Sequence, residues 1–164
     1  ADQEFSRLFH EYKRRAFGFA YQLTGNVEDA MDLTQEAFLR VHRNWRRMDP
    51  SRPFGPWLFS IVRNLAVDLA RSSKSRQARE ETVGTTAPAV RSPEALARQQ
   101  QLRERVWEAI GKLPPEQREV LVLRDLQGFS YKEIAEITGA PLTTVNSRLH
   151  DARTALRELL GRYL

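Results

Sequence analysis

The sequence predicts an all-α protein of two small helical domains joined by a flexible linker, the second domain a helix-turn-helix. Three observations predict it. Apolar residues recur at helical spacing through most of the chain, and strand-like alternation is scarce. The stretch 72–95, SSKSRQAREETVGTTAPAVRSPEA, holds Pro88 and Pro93 and shows no sustained apolar period, so it reads as a linker between domains at 1–71 and 96–164. Near the C-terminus, GFSYKEIAEITGAPLTTVNSRLHDAR carries two short periodic segments on either side of Gly139 and Pro141.

In the first domain, Phe5, Leu8, Phe9 and Tyr12 mark an amphipathic helix that continues towards Ala20 and Leu23 and ends at Thr24-Gly25-Asn26. A second helix is expected from Glu28 to Met48. At about 100° per residue, Asp29, Asp32, Glu36, Arg40, Arg43 and Arg47 share one side. Ala30, Ala37, Phe38, Val41, Trp45 and Met48 share the other. The charged stripe is acidic in its N-terminal half and basic in its C-terminal half. That suits a solvated face arranged along the helix dipole, and equally a docking face for a basic partner. The run from Asp49 to Pro56 is a loop by its proline and glycine content. A third helix, Trp57 to Arg71, buries Leu58, Ile61, Val62, Leu65 and Leu69, while Ser60, Arg63, Asn64, Val67 and Arg71 point away. Trp57 and Phe54 can be core residues or platforms on which unstacked bases rest, each stacked base contributing about 1–3 kcal/mol.

The second domain opens with a helix from Pro93-Glu94 through Leu102, Val106 and Ile110. Leu113-Pro114-Pro115-Glu116 breaks and restarts the chain, with proline suited to a first turn. The helix carrying Val120, Leu121, Leu123 and Leu126 stops at Gln127-Gly128. Ser130-Tyr131-Lys132-Glu133 has the capping-box form. Ala135, Gly139 and Val145 have helix-turn-helix spacing: a small residue for close approach, a glycine for a positive φ, and an apolar lock. Leu149, Ala152, Leu156 and Leu160 continue the buried side. Thr143, Ser147 and Thr154 face outward, with Thr144, Asn146, Arg148 and His150 nearby. Short polar side chains and an arginine at a helix N-terminus suit entry into a DNA major groove.

Lys and Arg number 26 against 21 Asp and Glu, a net charge of +5, which favours a polyanionic partner. The excess is not a tail, because each domain carries 11 basic and 9 acidic residues, so any nucleic-acid surface must form by clustering on helix faces. The absence of cysteine excludes a disulfide scaffold, a thiolate zinc site and a cysteine nucleophile. His10, His42 and His150 lack metal-ligand spacing, and no phosphate-cradling glycine loop occurs. No catalytic constellation, metal or cofactor is expected. No apolar run approaches the roughly 18 residues of a membrane span, and ADQEFSRLFHEYKRR has no signal-peptide layout. A cytoplasmic protein is therefore expected.

Three segments, DAMDLTQEAFLRVHRNW, PFGPWLFSIVRNLAVDLAR and LPPEQREVLVLRDLQGFSYKEIAEITGAPLTTVNSRLHDARTALR, together resemble the bacterial RNA polymerase sigma factors of the extracytoplasmic-function type, in order and over nearly the whole chain. The resemblance implies that Asp29, Asp32, Leu33, Gln35, Glu36 and Phe38 contact the clamp coiled coil of the polymerase largest subunit. It implies that Arg52, Phe54, Trp57, Arg63, Asn64, Asp68 and Arg71 melt and read the promoter's minus-ten element. Thr143, Thr144, Asn146, Ser147, Arg148 and Arg153 correspond to the helix that reads the minus-thirty-five element as duplex. An inhibitory anti-sigma factor is implied as a further partner, and no small-molecule substrate. Met31, His42 and Asp151 depart from the family's usual residues, Asp151 where a basic residue is common. The rival reading is a stand-alone helix-turn-helix regulator, which needs a dimer surface and a palindromic site.

Overall fold

Helix α1 (Asp2–Thr24) lays Leu8, Ala16, Phe19 and Ala20 into the core. A computed structural model of the chain describes residues 2–77 and 94–161. Among the described residues there are seven α-helices and no strand, in keeping with the expected all-α class. The Thr24-Gly25-Asn26 turn ends α1 as predicted. The Thr24 hydroxyl donates to the Ala20 carbonyl at 2.9 Å. Gly25 takes φ 67°, which favours glycine. Asn26 then caps α2 (Val27–Arg43) by accepting the Asp29 N–H at 3.1 Å.

Helix α2 stops at Arg43, short of the expected Met48. The Asn44 amide donates to the Arg40 carbonyl at 2.9 Å, which closes the helix, and a single 3₁₀ turn follows at Trp45–Arg47. That turn carries the Trp45 ring back against Phe5 and Phe54, at 5.6 and 6.3 Å between centroids. Helix α3 (Phe54–Gln77) starts earlier and ends later than expected. Pro56 fits its first turn, where no N–H is needed, so the predicted loop reaches only to Pro53. Residues 72–77 therefore continue α3, and Glu94 opens α4 (Glu94–Lys112); the rest of the predicted linker, 78–93, lies outside the described residues.

The second module continues with α5 (Pro115–Leu121). The predicted continuation through Leu126 is instead a π-helical turn, Val122–Leu126, closed by the Gln127 N–H on the Val122 carbonyl at 2.9 Å. The wider turn shifts the register. Val120 to Leu123 stay buried while Leu126, expected on the apolar side, is 48% exposed. Helices α6 (Tyr131–Thr138) and α7 (Leu142–Leu160) form the hairpin. Ser130 accepts the Glu133 N–H at 3.1 Å, and Glu133 Oε1 accepts the Ser130 N–H at 2.9 Å, which completes the capping box. Gly139 ends α6 at φ 74° with its N–H on the Ala135 carbonyl at 2.9 Å. Ile134, Ile137, Val145, Leu149 and Ala152 are buried between the two helices and α5.

The two modules do not stand apart. Their buried residues form one continuous cluster. Phe59 on α3 stacks on Phe19 at 5.1 Å and meets the edge of Phe129, from the second module, at 4.9 Å. Burying a Phe contributes about 1.5–3 kcal/mol. Helix α3 packs along α6, and α1 along α5. Polar staples flank the rings. The Arg15 Nε donates to Gln127 Oε1, and its Nη2 to the Gln127 carbonyl, each at 3.0 Å. Arg118 donates to the Gly111 and Leu113 carbonyls at the end of α4, at 2.9 and 3.0 Å, and to Gln22 of α1 at 3.4 Å. These are orphan carbonyls of helix ends, satisfied by one guanidinium.

Candidate nucleic-acid interface

Three surfaces carry the residues singled out by sequence. The first is the solvent side of α2. Asp32 and Gln35 are exposed, and Asp29 and Glu36 half-buried. Glu36 is held by Arg40 at 3.3 Å and Arg43 at 3.8 Å, pairs that hold it in place more than they stabilise the fold. Leu33 and Phe38 lie elsewhere. They are 8% and 4% exposed, and Phe38 packs edge-on to Phe9 at 4.8 Å, so both hold α2 in the core rather than face a partner. Sequence reasoning missed an apolar border beside the acids. Val27, Met31 and Leu39, separated by multiples of four, are 45%, 58% and 44% exposed. The four-residue spacing was its signal.

The second surface is the entry to α3. Arg40, Asn44, Arg47, Met48, Asp49, Arg52, Trp57 and Ile61 line a cleft of about 400 Å³. Of these, only Arg52 and Trp57 were predicted as DNA-contacting. The basic half of the α2 stripe signalled the arginines, but the backward fold of the 3₁₀ turn that gathers them was not legible. Asp49 sits at the rim. Its carboxyl is lowered by the hydrogen bonds of the Ser51 hydroxyl and N–H, at 2.6 and 2.9 Å, so it stays charged. Phe54 is half-buried between Tyr12, 5.2 Å away, and Trp57, 6.1 Å away, as part of an aromatic cluster on the first turn of α3 and not in a loop. Asn64, Asp68 and Arg71 are exposed further along that helix.

Arg63 was expected to point away from the core, and it does leave the core of its own module. It then meets Glu119 of the second module, Nε lying 3.3 Å from both carboxylate oxygens. Exposure is 24% for the Arg63 side chain and 7% for that of Glu119. Burial raises the Glu119 carboxyl above its ordinary value, against the lowering pull of Arg63 and Arg148. Neighbouring Arg118 is pushed the other way, its pKa lowered by burial.

The third surface is the outer face of α7. Thr143, Asn146 and Ser147 are exposed and Thr144 is half-buried. Arg148 is 3.7 Å from Glu116, and Arg153 donates to Asp125 at 2.7 and 3.2 Å, a bond that raises its pKa. His150 and Asp151 lie exposed beside them. Short polar groups at a helix N-terminus, backed by two arginines, match what major-groove reading needs. Among the described residues no cluster of His, Asp and Glu could hold a metal ion, and no helix is long and apolar enough to cross a membrane.

Two family models match the chain: Sigma-70 region 2 over residues 8–76, and Sigma-70, region 4, over residues 103–156. The ECF RNA polymerase sigma factor SigW of Bacillus subtilis is 34% identical over 169 residues, covering 97% of this chain and 90% of the relative. The ECF RNA polymerase sigma factor SigE of Mycolicibacterium smegmatis is 36% identical over 158 residues; they cover 95% of this chain but 61% of SigE. Among solved structures, CnrH in complex with the cytosolic domain of CnrY superposes with a TM-score of 0.73 at 27% identity, over 100% of this chain and 92% of that one. The sigma factor RpoE of Bartonella quintana, in complex with the anti-sigma factor NepR, shares the fold, with a TM-score of 0.79 at 24% identity over 99% of both chains.

Proposed function

This chain belongs to the extracytoplasmic-function RNA polymerase sigma factors, and from that membership we propose that it binds core RNA polymerase and directs promoter-specific initiation. The observation that carries the reading is the pairing, in one chain, of an arginine- and tryptophan-lined cleft at the entry to α3 with an outward polar face on α7. One surface suits unstacked bases and the other intact duplex.

The division of labour follows the modules. Residues 1–71 would dock on the clamp coiled coil of the largest subunit through Asp29, Asp32, Gln35 and Glu36, with Leu33 and Phe38 fixing the helix from behind. The same module would hold bases flipped from the minus-ten element through Trp57, Arg52, Asn64, Asp68 and Arg71, with Phe54 buttressing Trp57 and Arg63 joining once it leaves Glu119. Residues 96–164 would read the minus-thirty-five element through Thr143, Thr144, Asn146, Ser147 and Arg148, with Arg153 on phosphate. Each good bidentate base contact contributes only about 1–3 kcal/mol, so neither module binds tightly alone. Docking on polymerase multiplies two weak readings through effective concentration. The protein would do no bond-breaking chemistry itself, need no cofactor, and act in the cytoplasm, where polymerase works. CnrH and RpoE are held in complexes with CnrY and NepR, which supports an anti-sigma factor as a partner here. A stand-alone regulator would have no use for the first module, which matches region 2 of the sigma factors.

The test is run-off transcription with purified core polymerase on a promoter library. Start sites should depend on the chain, and Trp57→Ala should lower open-complex formation while leaving duplex binding by α7 unchanged. Start-site selection independent of the chain would overturn the proposal.

A further inference from the structure

We infer that the cleft at the entry to α3 is a binding site for a free ribonucleoside 5′-phosphate, with the base against Trp57, the ribose on Asp49 and the phosphate among Arg40, Arg47 and Arg52. The nucleotide is a ligand, and no bond in it is broken. The binding claim stands on the cleft alone. Its consequence, that the nucleotide excludes an unstacked promoter base, rests on the assignment of Trp57 to the minus-ten element.

The first argument is charge. Three guanidiniums and one carboxylate line a space of about 400 Å³. Small-ligand pockets usually hold about 300–1,000 Å³. Three positive groups less one negative leave the cleft an excess of two positive charges. Each phosphodiester of a DNA strand carries a single negative charge. A terminal phosphate monoester carries about 1.5 to 2 at neutral pH and offers three acceptor oxygens. The cleft therefore suits the end phosphate of a nucleotide better than the middle of a strand. The cations are also available. Among the described residues Arg47 and Arg52 form no ion pair, and Arg40 gives its Nε to Glu36 at 3.3 Å, which leaves its two Nη groups.

The second argument is the carboxylate. Asp49 accepts the Ser51 N–H at 2.9 Å and the Ser51 hydroxyl at 2.6 Å, both on Oδ1. These bonds fix the group and leave Oδ2 to accept. A carboxylate beside a DNA strand repels its phosphates. Beside a ribose it accepts the 2′-hydroxyl, as an acidic residue does in the dinucleotide-binding folds. That hydroxyl is the group by which a protein tells ribose from deoxyribose.

The third argument is the platform. Trp57 is half-buried, with the Phe54 ring 6.1 Å away at 80° to brace it. Met48 and Ile61, also half-buried, supply the apolar lining. Stacking on an aromatic ring tolerates every base. The site therefore selects the sugar and the phosphate, not the base.

The experiment is equilibrium dialysis of the full chain with radiolabelled AMP and GMP, with dAMP and inorganic phosphate as comparisons. AMP and GMP should bind alike, and at least about tenfold more tightly than inorganic phosphate. The deoxyribose form should bind about threefold to tenfold more weakly than AMP. Arg47→Gln should weaken AMP at least about fivefold, because a neutral amide replaces the guanidinium. Asp49→Ala should bring AMP and dAMP level. Arg47 and Asp49 are exposed, and circular dichroism verifies that both variants keep their helices. Binding no tighter than that of inorganic phosphate, equal binding of AMP and dAMP by the unsubstituted chain, or indifference to Arg47→Gln would each overturn the site. With core polymerase, AMP should slow open-complex formation, and Asp49→Ala should relieve that effect. An equal effect on both forms would place the nucleotide on polymerase and overturn the competition. A chain that binds AMP as expected but directs no start site would refute the sigma-factor reading, and the competition with it, while the site stands.

Discussion

Arg63 and Glu119, 56 positions apart, meet across the boundary of the two modules with the Arg63 Nε 3.3 Å from each carboxylate oxygen. The arginine keeps partial access to water and the glutamate almost none. The desolvation of a buried ion pair can exceed its Coulomb gain, so this contact specifies how the modules dock more than it stabilises the docking.

The Glu119 carboxyl gives that statement a sign. Burial raises it above the ordinary 4.5, Glu116 adds to the rise, and Arg63 and Arg148 oppose it. The packed form thus binds the proton more tightly than a form with Glu119 in water. Its contribution to stability is fully present below 4.5 and is lost as pH rises through the raised value. Glu119→Gln should therefore raise the melting temperature at neutral pH, about 2–4 °C for each kcal/mol gained, and flatten its slope with pH. Calorimetry from mild acid to neutral pH checks this; a lower melting temperature for the variant at neutral pH would mean that the ion pair outweighs the burial.

Two glycines with empty space around them should respond oppositely to alanine. Neither Gly139 nor Gly18 has a neighbour within 4 Å of an added Cβ. Gly139 closes α6 at φ 74°, so Gly139→Ala should cost about 1–2 kcal/mol from backbone conformation alone. Gly18 lies inside α1, so Gly18→Ala should stabilise by roughly 0.5–1 kcal/mol. Urea unfolding of both variants measures the contrast.

Asp32 has an exposed carboxylate beside the apolar edge of Val27 and Met31. Asp32→Lys should weaken binding to core polymerase at least tenfold, about 1.4 kcal/mol, with helicity unchanged. Fluorescence anisotropy with labelled chain, beside circular dichroism, tests it; wild-type affinity would assign the stripe to solvation alone.

Arg153 spends its guanidinium on Asp125. Asp125→Asn should free it for a phosphate, strengthening duplex binding and steepening the dependence of log K on log salt by about 0.9. Asn146→Ala should instead flatten discrimination among sequences and leave that slope alone. Titrations at several salt concentrations separate the two.

Local features were legible where short-range rules govern. The capping box at Ser130, the positive φ at Gly139, the Thr24-Gly25-Asn26 stop and the buried line Val145, Leu149, Ala152 follow from residue types a few positions apart. Leu126 was misplaced because a π turn is decided by what the following residues must reach: here Gln127 must meet Arg15 and Phe129 must meet Phe59. The early end of α2 was missed because Asn44, unremarkable in a helical pattern, closes the helix where Trp45 can turn back onto Phe5.

The sequence by itself determined that this chain is helical, where its hairpin turns, and which faces are apolar, because helical period, capping and glycine conformation act over a few residues. Its likeness to the sigma factors also lay in the sequence, in three segments read together. Only the tertiary structure decided that Arg63 faces a carboxylate instead of solvent, that Leu33 and Phe38 are core, and that arginines from α2 and from the turns that follow it converge on Trp57. Those relations depend on how helices distant in sequence come to lie side by side, and that is fixed by the burial of a shared apolar cluster, which no local pattern encodes.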